Sequence, residues 1–166
     1  MIANCVVVYT LLASLFTTAL EPNMATLELL EECGEYLPQE SVQYCPLLVE
    51  NFAIEDIETV TKIIFCESRF DNKALSSSYT YQDSGLVQAI PSSWGWVKAK
   101  YPKSIPYWDY PDLAYGFAQY NPEYNIKFAS HLIYDMNSYT NFNHWNASKW
   151  CWGDTDKYLK ILRNEQ

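Results

Sequence analysis

The sequence predicts one mostly α-helical domain, and three observations support that class. A chain of 166 residues has room for one compact domain and little more. Its apolar content of 49% is enough to bury a core and is unlike that of a disordered chain. Its apolar residues then recur at three- and four-residue spacing in successive stretches, the period of helices with one face turned inward. No internal repeat, low-complexity tract or linker divides the chain.

The first stretch reads as a targeting signal. Residues 2–20 carry no charge, residues 5–12 form an apolar run, and Thr17 and Ala19 stand three and one positions before a cut after Ala19. No basic residue precedes the run. The rival reading is an uncleaved membrane anchor, but Ser14, Thr17 and Thr18 interrupt the run, which is short for a span. The expectation is a signal peptide over 1–19, a secreted domain over 20–166, and no membrane association once the signal is removed. A monomer is the expected state.

Removing residues 1–19 removes Cys5 and leaves Cys33, Cys45, Cys66 and Cys151, an even count that suggests two disulfides in an exported chain. Of the three possible pairings, Cys33–Cys45 with Cys66–Cys151 is favoured: one closes a short local loop, the other ties the middle of the chain to its end. No close CxxC spacing occurs, and His131 and His144 form no finger pattern with the cysteines, so neither a metal nor another cofactor is expected. A net charge of −9 argues against nucleic acid as a partner.

Helices follow in order. Leu27, Leu29 and Leu30 among acids predict a short one over 24–35, ended by Gly34 and Pro38. Ile54, Ile57, Val60 and Ile64 give the clearest helix, with Glu55, Asp56 and Glu58 on its other side and the acids suiting the positive end of the dipole. Residues 71–84 read as a polar loop with short strand character. Pro91-Ser92-Ser93 opens a helix with Trp94, Val97 and Tyr101 on one face. A Tyr-, Pro- and Trp-rich connection over 101–121 is long for a structureless loop and suggests a substrate-facing segment. Pro122 opens a helix striped by Ile126, Ala129, Ile133 and Met136, and residues 156–163 form the last, with Tyr158, Leu159 and Leu162. The abundant Tyr and Trp admit two readings, a core with wet edges or a sugar cleft in which flat rings stack on pyranose faces.

Glu67 follows Ile63-Ile64-Phe65-Cys66 at the end of the clearest helix. A carboxyl at a mostly buried helix end has its pKa raised toward the range of a general acid. The plainer alternative is a surface glutamate paired with Arg69 or Lys73. The surrounding motifs favour the first. Glu67-Ser68-Arg69-Phe70-Asp71-Asn72-Lys73-Ala74, Gly85-Leu86-Val87-Gln88-Ala89-Ile90-Pro91 and Asn121-Pro122-Glu123-Tyr124-Asn125-Ile126 appear in that order. They resemble the ES-x-F-x-x-x-A, GL-x-Q-I-x-P and P-x-x-NI blocks of the soluble lytic transglycosylase and goose-type lysozyme superfamily. The likeness is strongest over 60–152.

The resemblance implies a mostly α, lysozyme-like (α+β) single domain with a substrate cleft, cleaving the MurNAc–GlcNAc β-1,4 bond of bacterial peptidoglycan. It makes Glu67 the general acid/base and places Phe70 and Ala74 in the packing that fixes the loop. It implies substrate-facing roles for Ser68, Gly85, Leu86, Gln88, Asn125 and Trp145, with simple packing equally open for Ser68 and Leu86. Cys66 just before the glutamate and Cys151 in the Trp-rich segment 145–151 are similar to the resuscitation-promoting and phage-tail lysozyme-like members. Many transglycosylases carry a Tyr-Asn-x-Gly segment whose tyrosine orients the glutamate. Here only Asn141-Phe142-Asn143-His144-Trp145 stands near that place, leaving Tyr115, Tyr120 and Tyr134 as substitutes.

A lysozyme needs a positioned water, and a second carboxylate would hold it; Asp83 is the first choice and Asp71 the second, although Asp83-Ser84-Gly85 is also ordinary turn chemistry. Attack by the substrate's own 6-hydroxyl would instead make a lytic transglycosylase. The Asn146-Ala147-Ser148 sequon marks Asn146 as a glycosylation acceptor of a secreted chain. The acidity of the chain counts mildly against attack on anionic walls at low salt. Two other classes stay open: an inactive relative binding peptidoglycan or chitin through Trp94, Trp96, Trp108 and Trp145, and a structural or interaction protein.

Overall fold

The helix predicted around Ile57 is buried on nearly all sides, and the other elements are arranged to bury it. The computed structural model describes residues 30–31, 33–76, 83–105, 118–135 and 141–163. Among the described residues, 30–31 and 33–35 are helical, and the helices that follow are α1 (Cys45–Asn51), α2 (Ile54–Ser68), α3 (Pro91–Lys100), α4 (Pro122–Tyr134), α5 (Lys149–Trp152) and α6 (Thr155–Leu162), with 3-10 segments at Gln39–Tyr44 and Asn143–Ser148.

In α2, Ile57, Val60, Ile63, Ile64 and Phe65 are buried as the spacing predicts. Two positions depart from it. Ile54 is 51% exposed, whereas Asp56, expected on the solvent side, is 7% exposed. Hydrogen bonding explains the exchange. The Tyr134 hydroxyl of α4 donates to Asp56 Oδ2 at 2.9 Å and accepts the Ala53 N–H at 2.8 Å, so a polar cluster replaces apolar contact at the helix start. Lys62 is also buried, with Nζ donating to Glu58 Oε1 and to Thr155 Oγ1, each at 2.9 Å, which fastens α6 to α2.

Helix α3 begins with Pro91 at its first turn and buries Trp94 and Val97 against α4, where the Trp94 and Phe128 rings stack at 4.1 Å. Asn121 caps α4 by accepting the Tyr124 N–H, and Ile126, Phe128, Ala129, Leu132 and Ile133 line its inner face. Met136 of the predicted stripe lies outside the described residues. Asp154 caps α6 by accepting the Lys157 N–H, and Tyr158 is fully buried edge-on to Phe65 at 5.2 Å.

The cysteines pair as Cys33–Cys45, with Cα atoms 5.8 Å apart, and Cys66–Cys151, at 6.0 Å. The second bridge joins the last turn of α2 to α5. Strand character among the described residues is limited to two isolated antiparallel bridges, Leu75 with Ser84 and Ser84 with Ala89. The predicted signal over 1–19, most of the predicted first helix, residues 77–82 and the aromatic stretch 106–117 lie outside the described residues. No helix among the described residues is long and apolar enough to cross a membrane.

Candidate active site

Glu67 sits in the last turn of α2, half-buried, with the chain turning sharply just after it. Arg69 closes the helix in the left-handed region at φ 56°, and Phe70 follows at φ 62°. Side chains with a Cβ adopt this region at a cost of about 1–3 kcal/mol each, which the surrounding packing must offset. Phe70 supplies part of it, buried and stacked on Tyr44 at 5.8 Å. The Arg69 guanidinium lies over the Phe65 ring at 4.1 Å, and neither ion pair among the described residues includes Glu67. The ordinary surface pairing with Arg69 or Lys73 is not seen.

Three influences act on the Glu67 carboxyl. Burial pushes its pKa above the ordinary range, a hydrogen bond from Ser148 pulls it down, and the negative charge of Asp83 pushes it up again. Burial also raises Asp83, whose Oδ1 is buried with no hydrogen-bond partner among the described residues. The two carboxyls therefore sense one another in a setting that keeps a proton on Glu67 to higher pH than in water. Ser148 closes the Asn143–Ser148 segment. Its Oγ accepts from Trp152 Nε1 at 3.1 Å, and its single proton has the Trp145 carbonyl, also at 3.1 Å, as the alternative acceptor to Glu67.

The turn over 84–90 forms the next part of the site and is held from all sides. Gly85 has φ 75°, and a Cβ there would lie 2.0 Å from the Gln119 carbonyl oxygen and 2.3 Å from Asn125 Nδ2. Glycine is needed at this position for both reasons. Asn125 is fully buried; its Nδ2 donates to the Gln119 carbonyl and its Oδ1 accepts the Val87 N–H, both at 2.9 Å. Trp145 Nε1 donates to the Val87 carbonyl at 2.8 Å. Gln88, left-handed at φ 49°, directs its Nε2 to the carbonyls of Ala74 and Gly85. Ser84 Oγ donates to Gln119 Oε1 at 2.9 Å.

This network corrects several expectations. Asn125, Trp145 and Leu86, at 0%, 5% and 0% exposure, are packed in the interior and do not face a ligand. Asn125 and Trp145 instead hold the two backbone groups of Val87. Ser68 is buried with Oγ donating back to the Ile64 carbonyl at 3.1 Å, so it fills the interior of α2. Gly85 permits the close approach of Gln119 and Asn125. Gln88 stays half-buried beside them with its amide donors already used. Of the substitutes for an orienting tyrosine, Tyr134 is bonded at the opposite end of α2, and Tyr115 lies outside the described residues. The Tyr120 carbonyl accepts from Asn72 Nδ2 at 2.8 Å. Asp71 is exposed and turns its Oδ1 to the Lys73 N–H. Asn146 is exposed, accessible as a glycan acceptor.

Sequence reasoning missed Ser148 and Gln119. Ser148 appeared only as the hydroxyl of a sequon, yet one signal pointed to it. Cys66 precedes Glu67 directly and Cys151 follows Ser148 by three residues, so the favoured disulfide already draws the hydroxyl toward the carboxyl. Among the described residues no cluster of His, Cys, Asp and Glu is arranged to hold a metal ion.

The family model described as "Transglycosylase SLT domain" matches residues 54–149, from the first residue of α2 to the first of α5. No curated protein and no solved structure matches the chain. The matched span contains Glu67, Asp83, the 84–90 turn, Asn125, Trp145 and Ser148, and ends before Cys151.

Proposed function

From the transglycosylase SLT domain family, to which this lysozyme-like chain belongs, we propose that it is a secreted enzyme cutting the MurNAc–GlcNAc β-1,4 bond of peptidoglycan with Glu67 as general acid/base. The family places peptidoglycan as the substrate and glycan cleavage as the activity. The single observation supporting the residue-level reading is the Glu67 carboxyl, its pKa raised by burial and by Asp83 while Ser148 orients it.

Glu67 protonates the glycosidic oxygen as positive charge builds at the anomeric carbon. Burial favours the protonated form and keeps the proton on the carboxyl to higher pH than in water. Ser148, hydrogen-bonded to the carboxyl, fixes its direction and steadies the anion left after transfer. Asp83 offers a buried oxygen without a protein partner among the described residues, which suits it to hold an attacking water. That favours hydrolysis, with Glu67 donating and Asp83 positioning the water. Attack by the substrate's 6-hydroxyl needs no such carboxylate and yields a 1,6-anhydro sugar.

The test is incubation of the disulfide-intact protein with purified peptidoglycan at acidic and neutral pH, beside Glu67→Gln, with products read by mass spectrometry. Reducing-end muropeptides absent from the variant are expected. Anhydro products would remove the hydrolytic part and leave Glu67 in place; equal product from the variant would remove Glu67.

A further inference from the structure

The Glu67 carboxyl has a serine for a partner, and a serine hydroxyl carries one proton on a bond that can turn. Whatever fixes the direction of that proton is part of the site. We propose that Trp152 is a positioning residue for the acid: its indole N–H holds the Ser148 hydroxyl so that the hydroxyl proton points to Glu67. That Glu67 serves as the acid rests on the reading given under Proposed function.

Three atoms form a closed triangle next to the carboxyl. Trp152 Nε1 lies 3.1 Å from the Trp145 carbonyl oxygen and 3.1 Å from Ser148 Oγ. Ser148 Oγ is in turn 3.1 Å from the same carbonyl oxygen. An indole nitrogen only donates, so its proton is shared between the two oxygens. The hydroxyl then has two directions. Aimed at the Trp145 carbonyl, its proton enters the triangle that the indole proton already occupies, and the two crowd one acceptor. Aimed at Glu67, it leaves the triangle, while a lone pair behind it accepts from the indole. A hydroxyl that accepts one hydrogen bond also becomes a better donor of the next, the more so away from water.

Packing accounts for the Trp152 ring but not for this pairing. Trp152 is 8% exposed, and its ring lies edge-on to Phe142 at 6.2 Å. One acceptor satisfies a buried indole, and the Trp145 carbonyl is one. The second is the hydroxyl that serves Glu67. Trp152 is also tied to both parts of the site. Its neighbour Cys151 is bridged to Cys66, which adjoins Glu67, and Trp145 Nε1 donates to the Val87 carbonyl. The indole thus links the end of α2 to the 84–90 turn, from a position beyond the matched family span, which ends at residue 149.

The test begins with the native, disulfide-intact chain, in which NMR follows the Trp152 indole N–H and the Glu67 carboxyl carbon across pH. The indole signal is expected to move with the midpoint of Glu67, and Ser148→Ala should abolish most of that movement. Trp152→Phe keeps a ring and removes the N–H. The freed hydroxyl turns to the Trp145 carbonyl and ionised Glu67 loses a donor. The Glu67 midpoint and the alkaline limb of turnover should therefore move to higher pH, by no more than in Ser148→Ala. Added to Ser148→Ala, Trp152→Phe should move neither, whereas a packing role would act in both backgrounds. An indole signal indifferent to Glu67, or undiminished in Ser148→Ala, overturns the proposal even where Trp152→Phe does not fold. Equal Glu67 midpoints in the native chain and Trp152→Phe, or equal shifts in both backgrounds, overturn it as well. Coupled titration without any cleavage of peptidoglycan sinks the catalytic reading alone. Cleavage that needs Glu67, with an uncoupled indole, sinks the role of Trp152 alone.

Discussion

Helix α2 carries a carboxyl near each end, and the fold treats the two oppositely. Asp56, in the first turn, is 7% exposed yet sits where the helix dipole favours negative charge, with the Tyr134 hydroxyl donating to it. Glu67, in the last turn, is half-buried where the dipole disfavours negative charge. Its donor is a serine hydroxyl that has a second acceptor, and another carboxylate faces it. The difference separates two uses of a buried acid. At the start of the helix the charge is satisfied and joins α4 to α2; at its end the charge is left costly, and a proton is the remedy.

The largest effect should come from the costly end. Glu67→Gln is expected to lower peptidoglycan turnover about 10²–10⁴-fold or more, the range of a lost general acid. Its effect on stability should run the other way. Because the folded protein binds the Glu67 proton more tightly than the unfolded chain does, stability falls as pH rises from the ordinary carboxylate range through the raised pKa. Glu67→Gln removes that fall. Denaturation at neutral and acidic pH should therefore show the variant at least as stable as the native chain at neutrality, with the advantage gone in acid. A clear loss of stability at neutral pH would make Glu67 a second Asp56.

Next in size are the disulfides, which extend the contrast from one helix to the whole chain. Cys66–Cys151 spans 85 residues and Cys33–Cys45 spans 12. In the chain-entropy account each contributes roughly 2–5 kcal/mol, the longer loop more by about 2 kcal/mol. Replacing Cys66 and Cys151 by serine should cost more in urea unfolding than replacing Cys33 and Cys45. It should also cost more activity, because the long bridge holds the segment bearing Ser148 against the end of α2. Equal activity losses would show that the Ser148 contact does not depend on the bridge.

The contrast also marks what could be read from the chain before its fold. Helix positions and the isolation of Glu67 after an apolar run are local properties, carried by spacing and side-chain size. The favoured cysteine pairing was legible too, since one loop is short and the other joins the middle to the end. The duties of Asn125 and Trp145 were not. A motif reports that a residue belongs to a site, but whether it faces ligand or backbone depends on Val87, dozens of residues away in sequence. Asp56 was misread for a similar reason: its partner hydroxyl belongs to Tyr134, beyond the reach of helical periodicity. Ser148 is the intermediate case, hidden in sequence yet implied by Cys66 and Cys151 together.

The satisfied end of α2 gives a smaller prediction. Asp56→Ala removes the acceptor of the Tyr134 hydroxyl and an acid in the first turn, which should cost about 1–3 kcal/mol in urea unfolding. Tyr134→Phe loses the same bond and the acceptor for the Ala53 N–H, so about 0.5–1.5 kcal/mol is expected, less because that amide lies on an exposed residue. Neither change should move the pH profile of turnover. A shift in that profile would mean that the two ends of the helix are electrically linked.

The smallest effect is the most specific to the costly end. Ser148 lowers the Glu67 pKa and Asp83 raises it, so removing each should move the alkaline limb of turnover in opposite directions. In Ser148→Ala the carboxyl loses a donor to its ionised form, holds its proton longer, and the limb moves to higher pH. In Asp83→Asn the opposing charge is gone, the proton leaves sooner, and the limb moves to lower pH. Asp83→Asn should also reduce the rate at every pH if the carboxylate positions water, whereas Ser148→Thr should restore the native limb. Two limbs moving in the same direction would show that burial alone sets the acidity of Glu67, and that its neighbours act on geometry and not on the proton.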